Sequence, residues 1–254
     1  MYLSDKSELA SPNIDRGEWS HLHHLLDLIG ALADSHLYGR FLQPTLRPVQ
    51  AGGLLFLEGA AATSIHVVRT GVFKVFRTTE DGYEQVVGFA RRGELLGFDA
   101  LSDARHCTTT VALEEASVYS VSLADFYSLR QDLPSFDHGV MRAAAKAMVE
   151  LTRVLEMMAA AAAEVRLARF LLHVSDCMSN GGHSPTSLRL QMTRRDIGSY
   201  LGVAPETISR AFGALMEAGL IEVDQRKIEI LDIKALRRYS QSMRAPVKGD
   251  APRS

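Results

Sequence analysis

Eight glycines fall between Gly52 and Gly97, at positions 52, 53, 59, 71, 82, 88, 93 and 97, and no long helix can run through a segment broken so often. Between and beyond them lie short β-prone runs: Leu54 to Glu58, Ile65 to Arg69, Val72 to Thr78, Gln85 to Phe89, Thr108 to Leu113 and Ser117 to Val121. Many short strands with turn signals predict an antiparallel sandwich, barrel or jelly roll. Asp81-Gly82, between two runs, reads as a hairpin turn. Leu22 to Leu37 has helical spacing and is expected to pack as a helix on this β unit.

At 254 residues the chain exceeds a typical single domain. Pro134 suits the first turn of a helix, where its missing N–H is an unpaired group anyway. In the helix that follows, heptads place Met141, Met148, Leu155 and Ala162 at one seam position and Ala144, Leu151, Met158 and Val165 at the other, with Arg142, Lys146, Glu150, Arg153 and Glu156 outside. An uncharged seam over more than three heptads favours self-association; the alternative is one amphipathic helix packed on its own domain. Ala159 to Ala163 is read as helix-favouring.

The stretch Gln191 to Leu231 carries the most specific pattern. Thr193 with Asp196 three residues on predicts an N-cap with an acidic partner, opening a helix that buries Ile197, Tyr200 and Leu201 and ends at Gly202. A second helix starts at Pro205 and runs toward Gly219, with Ile208, Phe212, Leu215 and Met216 on one face. Two helices joined by a three-residue turn fit a helix-turn-helix. On the other face sit Glu206, Ser209 and Arg210, near the end from which recognition helices contact bases. Arg donates twice to guanine, Glu accepts from cytosine, and Ser suits either kind of edge. The alternative is an i, i+4 surface pair of Glu206 and Arg210. Leu220 to Val223, Asp224-Gln225-Arg226 and Lys227 to Leu231 read as strand, turn and strand, a wing with a basic tip. From Arg166 onward Lys and Arg outnumber Asp and Glu, while residues 1–165 show the reverse, so the basic C-terminal part is the expected polyanion binder.

At these residues the chain resembles the Crp/Fnr family of transcription regulators, specifically its Fnr branch. Met192-Thr193-Arg194-Arg195-Asp196-Ile197-Gly198-Ser199-Tyr200-Leu201-Gly202 followed by Glu206-Thr207-Ile208-Ser209-Arg210 matches the branch signature, and Gly93-Glu94-Leu95-Leu96-Gly97-Phe98-Asp99-Ala100 and Ser184-Pro185 extend the likeness over roughly residues 50–236. The resemblance implies an α+β chain: an N-terminal extension and helix (1–39), a double-stranded β-helix sensor domain of jelly-roll, cyclic-nucleotide-binding-like form (40–133), a dimerisation helix (134–162), a winged helix-turn-helix (163–240) and a flexible tail (241–254). It implies a homodimer on double-stranded DNA at a palindrome close to TTGAT, four unspecified bases, ATCAA, acting with RNA polymerase as an activator. The DNA-binding set carried over is Thr193, Arg194, Arg195, Glu206, Thr207, Ser209, Arg210 and Arg226; the dimerisation set is Met141, Ala144, Met148, Leu151, Leu155 and Met158. Ala204 departs from relatives that carry a helix-capping hydroxyl there.

The signal is less specific. Cluster ligation normally takes four thiolates, and Cys107 and Cys177 are the only cysteines, so an iron-sulfur cluster is not expected. His21, His23, His24 and His36 leave haem or a metal as an alternative. Gly93-Glu94-Leu95 resembles the turn that holds the phosphate in cyclic-nucleotide-binding relatives, but Arg105 is followed by His106 rather than Ser, so cyclic AMP is not expected; Arg105 leaves another anionic effector as an alternative. A cupin-like metalloenzyme would need His-x-His in the β region, which has only His66 and His106. No nucleophile elbow or P-loop occurs, so no enzyme is read here. With no leader-like N-terminus and no apolar stretch near 20 residues, a cytoplasmic chain without membrane association is expected.

Overall fold

The computed structural model describes residues 16–31, 44–180, 182 and 184–241. Helix α1 (Arg16–Leu28) precedes eight strands: β1 (Thr45–Val49), β2 (Leu54–Phe56), β3 (Ser64–Thr70), β4 (Phe73–Thr78), β5 (Glu84–Ala90), β6 (Leu95–Leu96), β7 (Thr109–Ala112) and β8 (Ala116–Ser122). Then come α2 (Leu123–Asp132), α3 (Pro134–Met158), α4 (Ala163–Asn180), β9 (Ser187–Arg189), α5 (Arg194–Leu201), α6 (Pro205–Glu217), β10 (Ile221–Asp224), β11 (Lys227–Ile230) and α7 (Ile233–Ser240).

β1 to β8 form two four-stranded antiparallel sheets, ordered β1-β8-β3-β6 and β2-β7-β4-β5. The side chains between them include Val49, Phe56, Val68, Phe73, Leu96 and Val118. The outer face of the first sheet gives Ile65, Val67, Tyr119 and Val121 to a second core shared with Leu25, Phe126 and Phe136 of the helices. From the second sheet, Phe76 and Val86 enter the core of the C-terminal half beside Leu171 and Tyr200. Alternation of side chains across each strand is what lets one sheet serve two cores.

Several boundaries differ from the sequence reading. α1 begins at Arg16 and ends at Leu28 rather than spanning Leu22 to Leu37; Gly30 at φ 65° and the bond from Ala31 N to Leu26 O close it, and residues 32–43, including His36, lie outside the described residues, as does the tail beyond Gln241. β1 goes unread because Pro48 sits in it; an edge strand paired only with β8 tolerates the missing donor. The long helix stops at Met158, not at 162; Ala159 to Ala162 are not helical, and Ala163 opens α4. Tertiary contact overrides alanine's propensity here: Ala160 is buried and its carbonyl accepts from Arg166 Nε at 2.7 Å. Ala162 therefore leaves the seam, and Val165, on α4, is fully buried rather than presented at a seam. Met216 lies beyond the buried stripe of Ile208, Ala211, Phe212 and Leu215 and is 43% exposed.

His66 is a buried polar group that couples the sensor fold to pH. Its Nδ1 shares a 2.8 Å hydrogen bond with Ser120 Oγ. Burial, reinforced by Arg47 and His106, pulls the imidazole from 6.5 down to about 4. The unfolded chain thus binds this proton near 6.5 and the folded chain only near 4, so stability is full above the higher value and falls by up to roughly 3 kcal/mol as pH drops between them. His66→Gln should flatten that fall. Urea midpoints measured from about pH 7 to about pH 4.5 check it; parallel curves for wild type and variant would remove His66 from the acid response.

Candidate nucleic-acid interface

The helix-turn-helix is built by local rules readable one residue at a time. Thr193 Oγ1 accepts from Asp196 N at 3.1 Å, and Asp196 Oδ2 accepts from Thr193 N at 2.9 Å, a reciprocal capping box that starts α5. Gly202 closes α5 at φ 67°. Gly198 is required by the turn itself, since a Cβ there would stand 2.8 Å from Val203 O. α6 then begins at Pro205 behind Ala204, whose side chain supplies no cap bond. β10 and β11 make the wing, with β9 pairing on the far side of β11, and Gln225 turns its tip at φ 51°.

The structure places the sequence-derived residues unequally. Glu206, Ser209 and Arg210 are exposed together on the N-terminal half of α6. Ser209 Oγ donates back to Pro205 O at 3.0 Å, and Arg210 Nη2 lies 3.4 Å from the Thr207 hydroxyl, so neither is tied into the core. Thr193 and Arg195 are exposed at the start of α5, and Arg226 is exposed at the wing. Arg194 is different: its guanidinium carbon lies 3.3 Å from the Phe212 ring centroid, so it braces α5 against α6. On α3, Met141, Met148, Leu151 and Leu155 are 56%, 72%, 61% and 63% exposed, Met158 is 38% exposed and Ala144 is half-buried.

Asp196 and Ser199 are buried polar groups that sequence reasoning did not assign beyond the cap. Lys74 of β4 donates to Asp196 Oδ1 at 3.1 Å and to Glu84 Oε2 at 2.7 Å. Burial alone would lower the Lys74 pKa, but bonds to the two carboxylates raise it overall. Burial likewise pushes Asp196 up, and Thr193 and Lys74 more than offset it, leaving the carboxyl below its ordinary value. Nothing in the local sequence marks a partner 122 residues away.

The four residues read as a possible effector pocket are tied into the β-roll by their own bonds and pairings. Gly93 N donates to Val68 O at 2.8 Å, Glu94 O accepts from Val68 N at 3.0 Å, Leu95 pairs with Val67 in β6, and Arg105 Nη1 donates to Gly59 O at 2.7 Å. A cavity of about 550 Å³ lies elsewhere in the β-roll, lined by Arg47, Phe56, Thr63, His66, His106 and Ser120 among others. Of the N-terminal histidines, His24 shares a 3.0 Å hydrogen bond with Tyr119 Oη, His21 packs beside the same ring, and His23 is exposed. Among the described residues no cluster of three or more His, Cys, Asp or Glu could hold a metal ion, and no helix is long and apolar enough to cross a membrane.

Residues 165–239 match the Crp-like helix-turn-helix domain and residues 46–132 the cyclic nucleotide-binding domain. The chain is 34% identical over 190 residues to the fumarate and nitrate reduction regulatory protein of Yersinia pestis, covering 75% of this chain and 76% of that one. The chain belongs to the Crp/Fnr family of transcription regulators. Two solved structures share the fold: FixK2 from Bradyrhizobium japonicum, at TM-score 0.70 and 23% identity over 81% of this chain and all of that one, and a CRP-family transcriptional regulator from Thermus thermophilus, at TM-score 0.64 and 22% identity over 77% and 97%. As a Crp/Fnr regulator the chain is a DNA-binding protein and not an enzyme, which displaces the cupin alternative.

Proposed function

We propose that this Crp/Fnr regulator works as a homodimer joined along the Met141, Ala144, Met148, Leu151, Leu155 and Met158 face of α3, and that each α6 reads one half of a TTGAT-N4-ATCAA palindrome. The reading rests on one observation above others: Glu206, Ser209 and Arg210 stand exposed on the leading half of a helix whose opposite face is the core of the winged domain. Arg195, Thr193 and Arg226 flank that face and meet phosphates, which fix position but carry no sequence information. Arg194 contributes by holding the two helices at their angle. In the cell the dimer contacts RNA polymerase and activates transcription.

Binding needs neither cyclic AMP nor an iron-sulfur cluster. Purified protein is expected to bind the palindrome equally with and without the nucleotide, and equally in air and under anaerobic conditions. Electrophoretic mobility shifts at fixed salt check this. Strong stimulation by cyclic AMP, or loss in air that reductant reverses, would contradict it. A second reading, gating by a small anionic effector, draws on the β-roll cavity, where Arg47 is the lone permanently charged residue among the described lining and His106 Nδ1 is buried with no hydrogen-bond partner among the described residues.

A further inference from the structure

Ser199 of α5 takes its side-chain partners from the sensor domain, and Asp196 divides its carboxylate between that domain and its own. Ser199 Oγ donates to Glu84 O at 2.7 Å and accepts from Val86 N at 2.8 Å, and Gln85 Nε2 donates to Ser199 O at 2.8 Å. β5 is the edge of its sheet, so α5 occupies the place of a further strand and covers backbone groups that would otherwise be open. The Asp196 carboxylate divides its two oxygens: Oδ2 closes the capping box with Thr193, and Oδ1 takes the Lys74 ammonium. Phe89 packs against Tyr200 beside this contact, with ring centroids 5.1 Å apart. All of it forms while Glu206, Ser209 and Arg210 remain exposed. The contact therefore leaves the reading face open and sets its direction.

We infer that Lys74 is a positioning residue for DNA recognition: by clasping Asp196 across the β5 edge it fixes the angle at which each sensor domain presents its winged helix, and so the spacing of the two recognition helices. The inference rests on the palindrome reading above. Half-sites lie about one helical turn apart, and only heads held at that spacing can engage both. Between α3 and α4 the link is the short non-helical stretch Ala159 to Ala162, braced by Arg166 on Ala160 O and by Arg169 on Glu156 O, and the Lys74 clasp adds the tie that reaches from α5 to the sensor sheet. Without the clasp the first head binds as before, while the second arrives at a lower effective concentration.

Fluorescence-anisotropy titration of the full chain tests this on two duplexes, the palindrome and a copy with one half-site scrambled, at one salt concentration. Wild type should prefer the palindrome; no preference would end the palindrome reading and this inference with it. Given that preference, Lys74→Met should erase at least tenfold of it with single-half-site affinity unchanged. Gln85→Ala, which keeps both charges, should move the same way by less, and Lys74→Arg should restore it. Unchanged preference in both Lys74→Met and Gln85→Ala, equal loss on the two duplexes, or tighter palindrome binding by Lys74→Met would each overturn the inference, the last by showing that the clasp holds the head away from DNA.

Discussion

Leu151→Asp is expected to turn a constitutive dimer into a folded monomer that no longer binds the palindrome. Leu151 lies at the middle of the α3 seam, 61% exposed in a single chain, with Met148 and Leu155 flanking it at 72% and 63%. With Met141 and Met158 these make five large apolar side chains in heptad register facing water, the mark of a coiled-coil seam awaiting a partner. Because the side chain contributes little to its own chain's core, the substitution spares the fold. In the dimer it would bring two carboxylates together in a desolvated contact, at a cost of several kcal/mol unless they protonate. One winged helix reads one half-site, so loss of the dimer should lower palindrome affinity by roughly a hundredfold or more. Sedimentation equilibrium at micromolar concentration, with circular dichroism to verify folding, reads both effects. A wild-type monomer, or a variant that dimerises as tightly as wild type, would place the subunit contact elsewhere.

The second large effect is on base discrimination. Arg210 offers a planar pair of donors on the exposed face of α6, a geometry that matches guanine O6 and N7 and that an ammonium cannot reproduce. Arg210→Lys should therefore weaken specific binding by about 1 to 3 kcal/mol, roughly 5- to 150-fold. Glu206 accepts rather than donates, so Glu206→Ala should cost less total affinity while relaxing discrimination at the G·C pair of each half-site. Neither side chain is buried, and both variants should melt like wild type.

How far the sequence could be read depended on whether the forces were local. The Thr193 and Asp196 capping box, the Gly202 turn and the Pro205 start are short-range backbone requirements, and all three stand where the spacing puts them. The glycine-punctuated strands were readable for the same reason, whereas β1 was hidden by Pro48, which only its edge position makes acceptable. The α3 helix was readable as far as Met158; beyond it the Arg166 bond to Ala160 accompanies a break in a run of alanines that by propensity alone would continue the helix. Arg194 was read as a DNA contact by position, and the packing of α5 on α6 adds that its guanidinium lies over Phe212. Lys74 gave no sign at all. Its partner Asp196 becomes a neighbour only when the sensor sheet and the winged helix dock.

Titration of wild type, Glu206→Ala and Arg210→Lys against the palindrome and every single-base variant of one half-site, at one salt concentration, tests most directly whether α6 reads DNA. Base readout by Glu206 and Arg210 gives a wild type that loses about 1 to 3 kcal/mol at the G·C pair and variants whose loss at that pair is largely erased. Identical base-preference profiles for all three proteins would contradict it.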